Sequence, residues 1–223
     1  MSVEALASAW ARTENAPDGS MLVADSEISG RLRGGTPWQT EGSEALIMAM
    51  IVRPSIDPLQ EALLWSVASL GVAHALTEVT GHNHAVTWPD TVVRVGGSGA
   101  GSPQSRVNVA VQLGPGRVEH AVLAVRTRLD AIHASKERLL AGLEHHLQAA
   151  TRLVESDSLA LLDAFNDGFS MINRRARVSL LPRGEARGRV TAVDRDGFLV
   201  LESSTGMLER IAPSSLRSIE LVN

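Results

Sequence analysis

Cysteine is absent from the 223 residues, and of the 21 basic residues only one, Lys136, is a lysine. Without cysteine there are no structural disulfides and no thiolate metal sites. The opening segment MSVEALASAWARTENAPDG has neither a basic start nor a long apolar run, so it does not read as a signal peptide. No stretch reads as the roughly 18 consecutive apolar residues of a membrane span, so the expectation is a protein of the cytoplasm with no membrane partner. Internal repeats and low-complexity tracts are also missing.

What is present is a globular composition: 44% hydrophobic and 21% charged residues, with a net charge of −4. A chain of this length buries about 70% of its unfolded surface, enough for a sizeable core. The charge is uneven. From Arg174 onward there are nine arginines against six acids, and the rest of the chain carries twelve basic and nineteen acidic residues. Such asymmetry fits either a tail that meets an anionic partner or a small unit with a solvated basic face.

Periodicity predicts the elements. Residues 2–13 read as an amphipathic helix with Leu6, Ala9 and Trp10 on one face. MLVAD (21–25) reads as a buried strand, and the apolar run ALIMAMIV (45–52) as a central one. Asp57 followed by Pro58 starts a helix that ends at Gly81. Short strands HAVTW and TVVRV flank Pro89, and after a glycine-rich loop RVNVAVQL pairs with VEHAVLAV across Gly114-Pro115-Gly116. Leucine spacing makes 129–154 helical, and a second helix covers about 157–172. From Arg175 the period changes to two, and RARVSLL, ARGRVTAV, FLVLES, LERIA and RSIEL read as short strands of a small antiparallel barrel. The fold class is therefore α+β: a mixed, mainly antiparallel sheet with helices packed on it, then the barrel, with domains at 1–173 and 174–223.

The order of these elements resembles the biotin protein ligases over nearly the whole chain. The family's first loop reads roughly Gln-x-x-Gly-Arg-Gly-Arg-x-Gly-x-x-Trp, and here the stretch is Glu27-Ile-Ser-Gly30-Arg31-Leu32-Arg33-Gly34-Gly35-Thr-Pro-Trp38. The family's Lys-Trp-Pro-Asn-Asp appears as Thr87-Trp88-Pro89-Asp90-Thr91. The C-terminal strands resemble the SH3-like barrel that ends these ligases. The chain opens on the ligase-like segment with no winged-helix pattern ahead of it, unlike the repressor type. The basic C-terminal part has no stacking aromatics and no recognition helix, so nucleic acid is not an expected partner.

The resemblance implies a site in which loop arginines embrace the phosphate of an acyl-adenylate and a tryptophan packs on adenine. Arg31, Arg33 and Trp38 stand there, and arginine's planar fork suits phosphate. Other positions depart from the pattern. Leu32 replaces a glycine that lets backbone approach phosphate. Glu27 replaces the glutamine near the biotin head group, where a carboxylate repels both anions. Thr87 replaces a lysine, and the second family lysine has only Arg106 in its neighbourhood. The Gly-x-Gly-x-Asn strand that closes the family's site becomes Ala124-Val125-Arg126-Thr127-Arg128. Asp90 stands as either a metal-facing carboxylate or a turn residue after proline.

The sequence therefore predicts a degenerate ligase-like protein, a pseudoenzyme without confident catalytic or metal residues. It would bind a small acid, a nucleotide or a partner such as a carrier protein, a carboxylase subunit or a true ligase. The candidate ligand-binding residues are Glu27, Gly30, Arg31, Arg33, Trp38, Thr87, Trp88, Asp90 and Arg106. The alternative is an active, divergent biotin ligase, using Arg31, Arg33, Arg106 or Arg126, with ATP, magnesium and biotin as its cofactors and substrate. A homodimer is expected through the strand RVNVAVQL, because an open apolar edge is a liability. The glycine run GGSGAG precedes a strand, so it reads as a hairpin loop and not as a dinucleotide fingerprint. His82/His84 and His145/His146 do not have metal-ligand geometry.

Overall fold

A computed structural model describes residues 2–35, 37, 45–97, 100–130, 132 and 134–222. The first body is a six-stranded antiparallel sheet in the order β1-β2-β6-β5-β4-β3. Its strands are β1 (Met21–Ala24), β2 (Ala45–Val52), β3 (His84–Thr87), β4 (Thr91–Arg94), β5 (Pro103–Gly114) and β6 (Arg117–Arg128). The apolar run of β2 is buried because it lies between β1 and β6 and is covered on both faces. One face carries helices α2 (Leu63–Thr80), α3 (Lys136–Ser156) and α4 (Ser158–Asp167), and the other carries α1 (Val3–Thr13).

Local chemistry explains most boundaries. Asp57 accepts from the Leu59 amide at 2.8 Å and caps a 3-10 turn at Pro58–Gln60 that leads into α2. Gly81, at φ 70°, closes α2. Ser2 caps α1 and Ser135 caps α3.

Four expectations are corrected. The face of α1 on the sheet is centred on Val3, Ala7 and Ala11, with Trp10 packed beside them as expected, while Leu6 is 38% exposed, because small side chains let the helix lie close to β2 and β6. Strand β1 is an edge strand and only half-buried. Helix α3 begins seven residues later than leucine spacing suggests, at its serine cap. Helix α2 does reach the length and apolarity of a membrane span, but 72% of it is buried inside the protein, as its place between the sheet and α3 requires.

The C-terminal strands are β7 (Arg175–Leu180), β8 (Glu185–Val193), β9 (Leu199–Glu202), β10 (Leu208–Ile211) and β11 (Leu216–Val222). All five predicted strands form, in the antiparallel order β10-β9-β8-β7-β11. Among the described residues β10 and β11 are the two edges of this sheet, and no pairing between them closes it. Its inner face, with Ala176, Val178, Val190 and Leu201, joins the same hydrophobic core as α2 and α4. The turn at Gly197 abuts the backbone that opens α2.

Candidate functional site

The loop between β1 and β2 lies over the sheet face that carries α1. In the β5–β6 register Arg106 faces Arg126, and in β4–β5 Thr91 faces Arg106. These side chains therefore share a face, and the loop brings Glu27 and Arg33 down onto them. Two ion-pair clusters result.

The first is buried. Arg126 donates from Nε to Glu27 Oε2 at 2.7 Å and from Nη2 to Glu27 Oε1 at 2.9 Å. The Val3 amide adds a third hydrogen bond to Glu27 Oε1 at 2.8 Å. The two side chains are 0% and 1% exposed, and Arg126 Nη1 is buried without a partner. This corrects the expected role of Glu27. Its charge is met by a parallel two-point contact, so it does not stand as a bare carboxylate repelling anions. Gly30 is buried beside it, and a Cβ there would come 2.4 Å from Glu27 Oε2. The glycine makes room for the carboxylate.

The second cluster centres on Asp90, which follows the cis Trp88–Pro89 bond. Arg33 Nε donates to Asp90 Oδ2 at 3.0 Å, Arg106 Nη1 to Asp90 Oδ1 at 3.2 Å, and the Thr91 hydroxyl to Asp90 Oδ1 at 2.8 Å. Arg33 Nη1 also donates to the carbonyl of Leu216 in β11, and Arg106 Nη1 to the Thr91 hydroxyl. Asp90 is thus buried among cations, which accounts for the carboxylate without a metal. Among the described residues no cluster of histidines and acids is arranged to hold a metal ion.

A cavity of about 400 Å³ opens beside Asp90, between the two sheets. Its walls include Arg33, Thr87, Trp88, Asp90, Arg106 and Arg217, so three guanidinium groups face one carboxylate. A smaller cavity of about 300 Å³ adjoins it and shares Leu32, Pro103 and Arg106. Trp88 is buried, with its indole Nε1 unpaired, and Thr87 meets the Ser170 hydroxyl at 3.1 Å.

The structure therefore brings Arg33, Thr87, Trp88, Asp90 and Arg106 to one cavity and Glu27 and Gly30 to the neighbouring buried pair. Arg31 is not brought in: it is exposed and donates to the Gly35 carbonyl at 2.9 Å. Trp38 lies outside the described residues. Sequence reasoning missed Arg217, which the C-terminal sheet contributes, and the pairing of Arg126. The signal for the pairing was available, since opposite charges replace neutral residues at two positions of the family pattern.

No family model matches the chain. The bifunctional ligase/repressor BirA of Bacillus subtilis (strain 168) is 24% identical over 219 residues, covering 86% of this chain and 64% of that protein. The chain is a homologue of the biotin protein ligases. BirA of Bacillus spizizenii is 28% identical over 79 residues, 35% of this chain and 24% of that protein. The chain spans less than two thirds of the length of these relatives.

The ligase fold extends over the whole chain. The biotin protein ligase from Aquifex aeolicus, in complex with biotin and ATP, superposes with a TM-score of 0.75 at 16% identity, over 99% of this chain and 95% of that one. A biotin protein ligase-like protein of unknown function from Silicibacter sp. tm1040 gives 0.71 at 16% identity, over 96% and 91% of the two chains.

Proposed function

We propose that this homologue is a non-catalytic ligase-like protein that binds a small anionic ligand, an acid or a nucleotide, between its two sheets. The observation that carries this reading is that the charged groups of the site are spent on one another: Glu27 on Arg126, and Asp90 on Arg33 and Arg106. Adenylation of a carboxylate concentrates negative charge in the transition state, and catalysis needs donors held ready for it. Here Arg33 is already anchored through Nε to Asp90 and through Nη1 to the Leu216 carbonyl, so its charge is partly neutralised before any phosphate arrives. The buried Glu27–Arg126 pair fills the position where the resemblance puts the biotin head group. Asp90 is engaged at both oxygens, by Arg33 at Oδ2 and by Arg106 and Thr91 at Oδ1, so two cations already offset its charge. What remains on the cavity wall is Arg217, beside an Arg106 that already shares Asp90, and this arginine-lined wall is suited to holding an anion.

The loss of one preorganised donor typically costs roughly 10²–10³ in rate. Thr87 in place of lysine and the occupied Arg33 together leave little activity above background, although such losses do not simply add. The test is pyrophosphate release with biotin and ATP, followed by transfer of labelled biotin to a carrier domain. The expected result is no turnover, together with a thermal shift from at least one of biotin, lipoate, ATP and biotinyl-AMP. Turnover near about 0.1 per second, against a median enzyme rate of about 10 per second, would establish the active divergent ligase instead. A lack of any thermal shift across the panel would remove the ligand-binding reading.

By the same reading the protein works in contact with a carrier domain, a carboxylase subunit or an intact ligase, and as a homodimer. Strand β4 pairs only with the first residues of β5, from Pro103 to Arg106, so the rest of β5 has a ladder partner on one side alone. Such an edge is a template for a second copy. Light scattering at micromolar concentration is expected to give twice the chain mass, and a strictly monomeric mass refutes the dimer.

A further inference from the structure

The outward face of the C-terminal sheet is unrelated to the cavity and carries an arrangement the fold does not need. In register, Arg175 lies opposite Arg189 and Arg177 opposite Arg187. Like charges directly opposed across antiparallel strands destabilise the pair. Carboxylates relieve only half of the block: Arg189 Nη2 meets Glu202 Oε2 at 2.6 Å, and Arg187 meets Glu185. Among the described residues Arg175 and Arg177 form no ion pair, although Glu220 lies opposite Arg177 in register, and Arg177 Nε is buried with no acceptor.

The block is also framed. One cross-strand row runs over all five strands as Leu208, Glu202, Arg189, Arg175 and Val222. Its apolar ends are exposed, Leu208 at 67% and Val222 at 38%, and Met207 beside Leu208 is 72% exposed. Between the ends lies a cleft of about 430 Å³ whose walls include Arg175, Arg187, Arg189, Ser203 and Ser204.

We propose that this face docks an acidic segment of a partner protein, with carboxylates on the arginine block and apolar side chains on Leu208, Met207 and Val222. Charge complementarity selects the partner. Arginine clusters recognise acidic motifs through two-point hydrogen bonds. A nucleic acid backbone fits less well, because its phosphates form an unbroken row of charge, whereas Glu185, Glu202 and Glu220 interrupt the arginines here. Bases would find no platform to stack on. The one aromatic residue after Arg174 is Phe198, and Arg210 covers its ring at 4.8 Å.

The test uses the full chain and a fluorescein-labelled peptide of alternating glutamate and leucine, followed by anisotropy at low salt. The Arg175→Ser/Arg187→Ser double variant is expected to bind roughly 2- to 30-fold more weakly, as for two lost exposed charged contacts. A control variant, Arg138→Ser/Arg152→Ser, removes two exposed arginines from α3 and is expected to bind as the parent does. Circular dichroism checks that both variants keep the fold, and unfolding of the first is replaced by the milder Arg175→Gln. Equal loss in the two variants, tighter binding of a duplex DNA of equal charge, or no peptide binding at all overturns the proposal.

Discussion

Replacing Glu27 by glutamine would remove one charge from a pair whose members are 0% and 1% exposed. The Arg126 guanidinium would then stay buried with Nη1 already unpaired and with one of its two carboxylate contacts facing an amide NH₂. The amide oxygen that remains must also serve the Val3 amide. Breaking a buried pair by removing one partner costs about 3–5 kcal/mol, because the other charge is left uncompensated. For a chain of this size that is a fall of roughly 6–20 °C in Tm. Chemical denaturation gives the same quantity as a lower midpoint at unchanged slope.

The attribution needs a double-mutant cycle. Arg126→Met removes the other charge and keeps an apolar side chain of similar reach. In the Glu27→Gln/Arg126→Met protein no buried charge is left alone, so its loss is expected to be smaller than the sum of the single losses, with a coupling of more than about 1 kcal/mol. A Glu27→Gln protein destabilised by less than about 1 kcal/mol, or a cycle that closes additively, refutes the reasoning, since either outcome means that the two charges do not depend on each other.

Two further outcomes follow from geometry and titration. Gly197 adopts φ +83°, and a Cβ there would lie 2.6 Å from the Ala62 carbonyl carbon, whereas Gly206, at φ +80°, has nothing within 4 Å. Gly206→Ala is expected to lose only the conformational cost of about 1–2 kcal/mol, and Gly197→Ala clearly more, as read by denaturant midpoints; equal losses would mean that the turn does not press on α2. His74, His84 and His120 have pKa values lowered from 6.5, chiefly by burial, so the unfolded chain binds protons more readily than the folded one. Their contribution to stability is complete above the ordinary histidine range and declines as pH falls through the lowered values. The denaturant midpoint is therefore expected to drop from about pH 7.5 to about pH 5.5, and a midpoint that rises would contradict the burial of these rings.

The elements that could be read from the sequence are those with local punctuation. Gly81 closes α2 where expected, because capping is settled within a few residues, whereas Asp57-Pro58 opens a 3-10 turn and α2 itself begins at Leu63. The five C-terminal strands appear where alternation and turns put them. What failed depended on distant partners. The packed face of α1 was misread because the sheet selects small side chains there, not large ones. At the site, Arg33, Trp88, Asp90 and Arg106 came from the motifs and do converge. The meaning of Glu27 came out reversed, since its partner is 99 residues away and a carboxylate read alone shows only its charge.

Arg33 makes its two contacts in different bodies of the protein, Asp90 at the foot of β4 and the Leu216 carbonyl at the start of β11. One side chain is thus a common tenant of two leases, held by separate nitrogens of a single rigid fork, Nε and Nη1. An anion that drew Nε and Nη1 away from their acceptors would free Asp90 and remove one tie between the last strand, which stays paired to β7, and the first sheet. By reciprocity, whatever holds β11 in place makes Arg33 harder to recruit, by the same free energy. If an anion does recruit Arg33, amide exchange at β11 is expected to quicken, a readout on the strand that borders the arginine block.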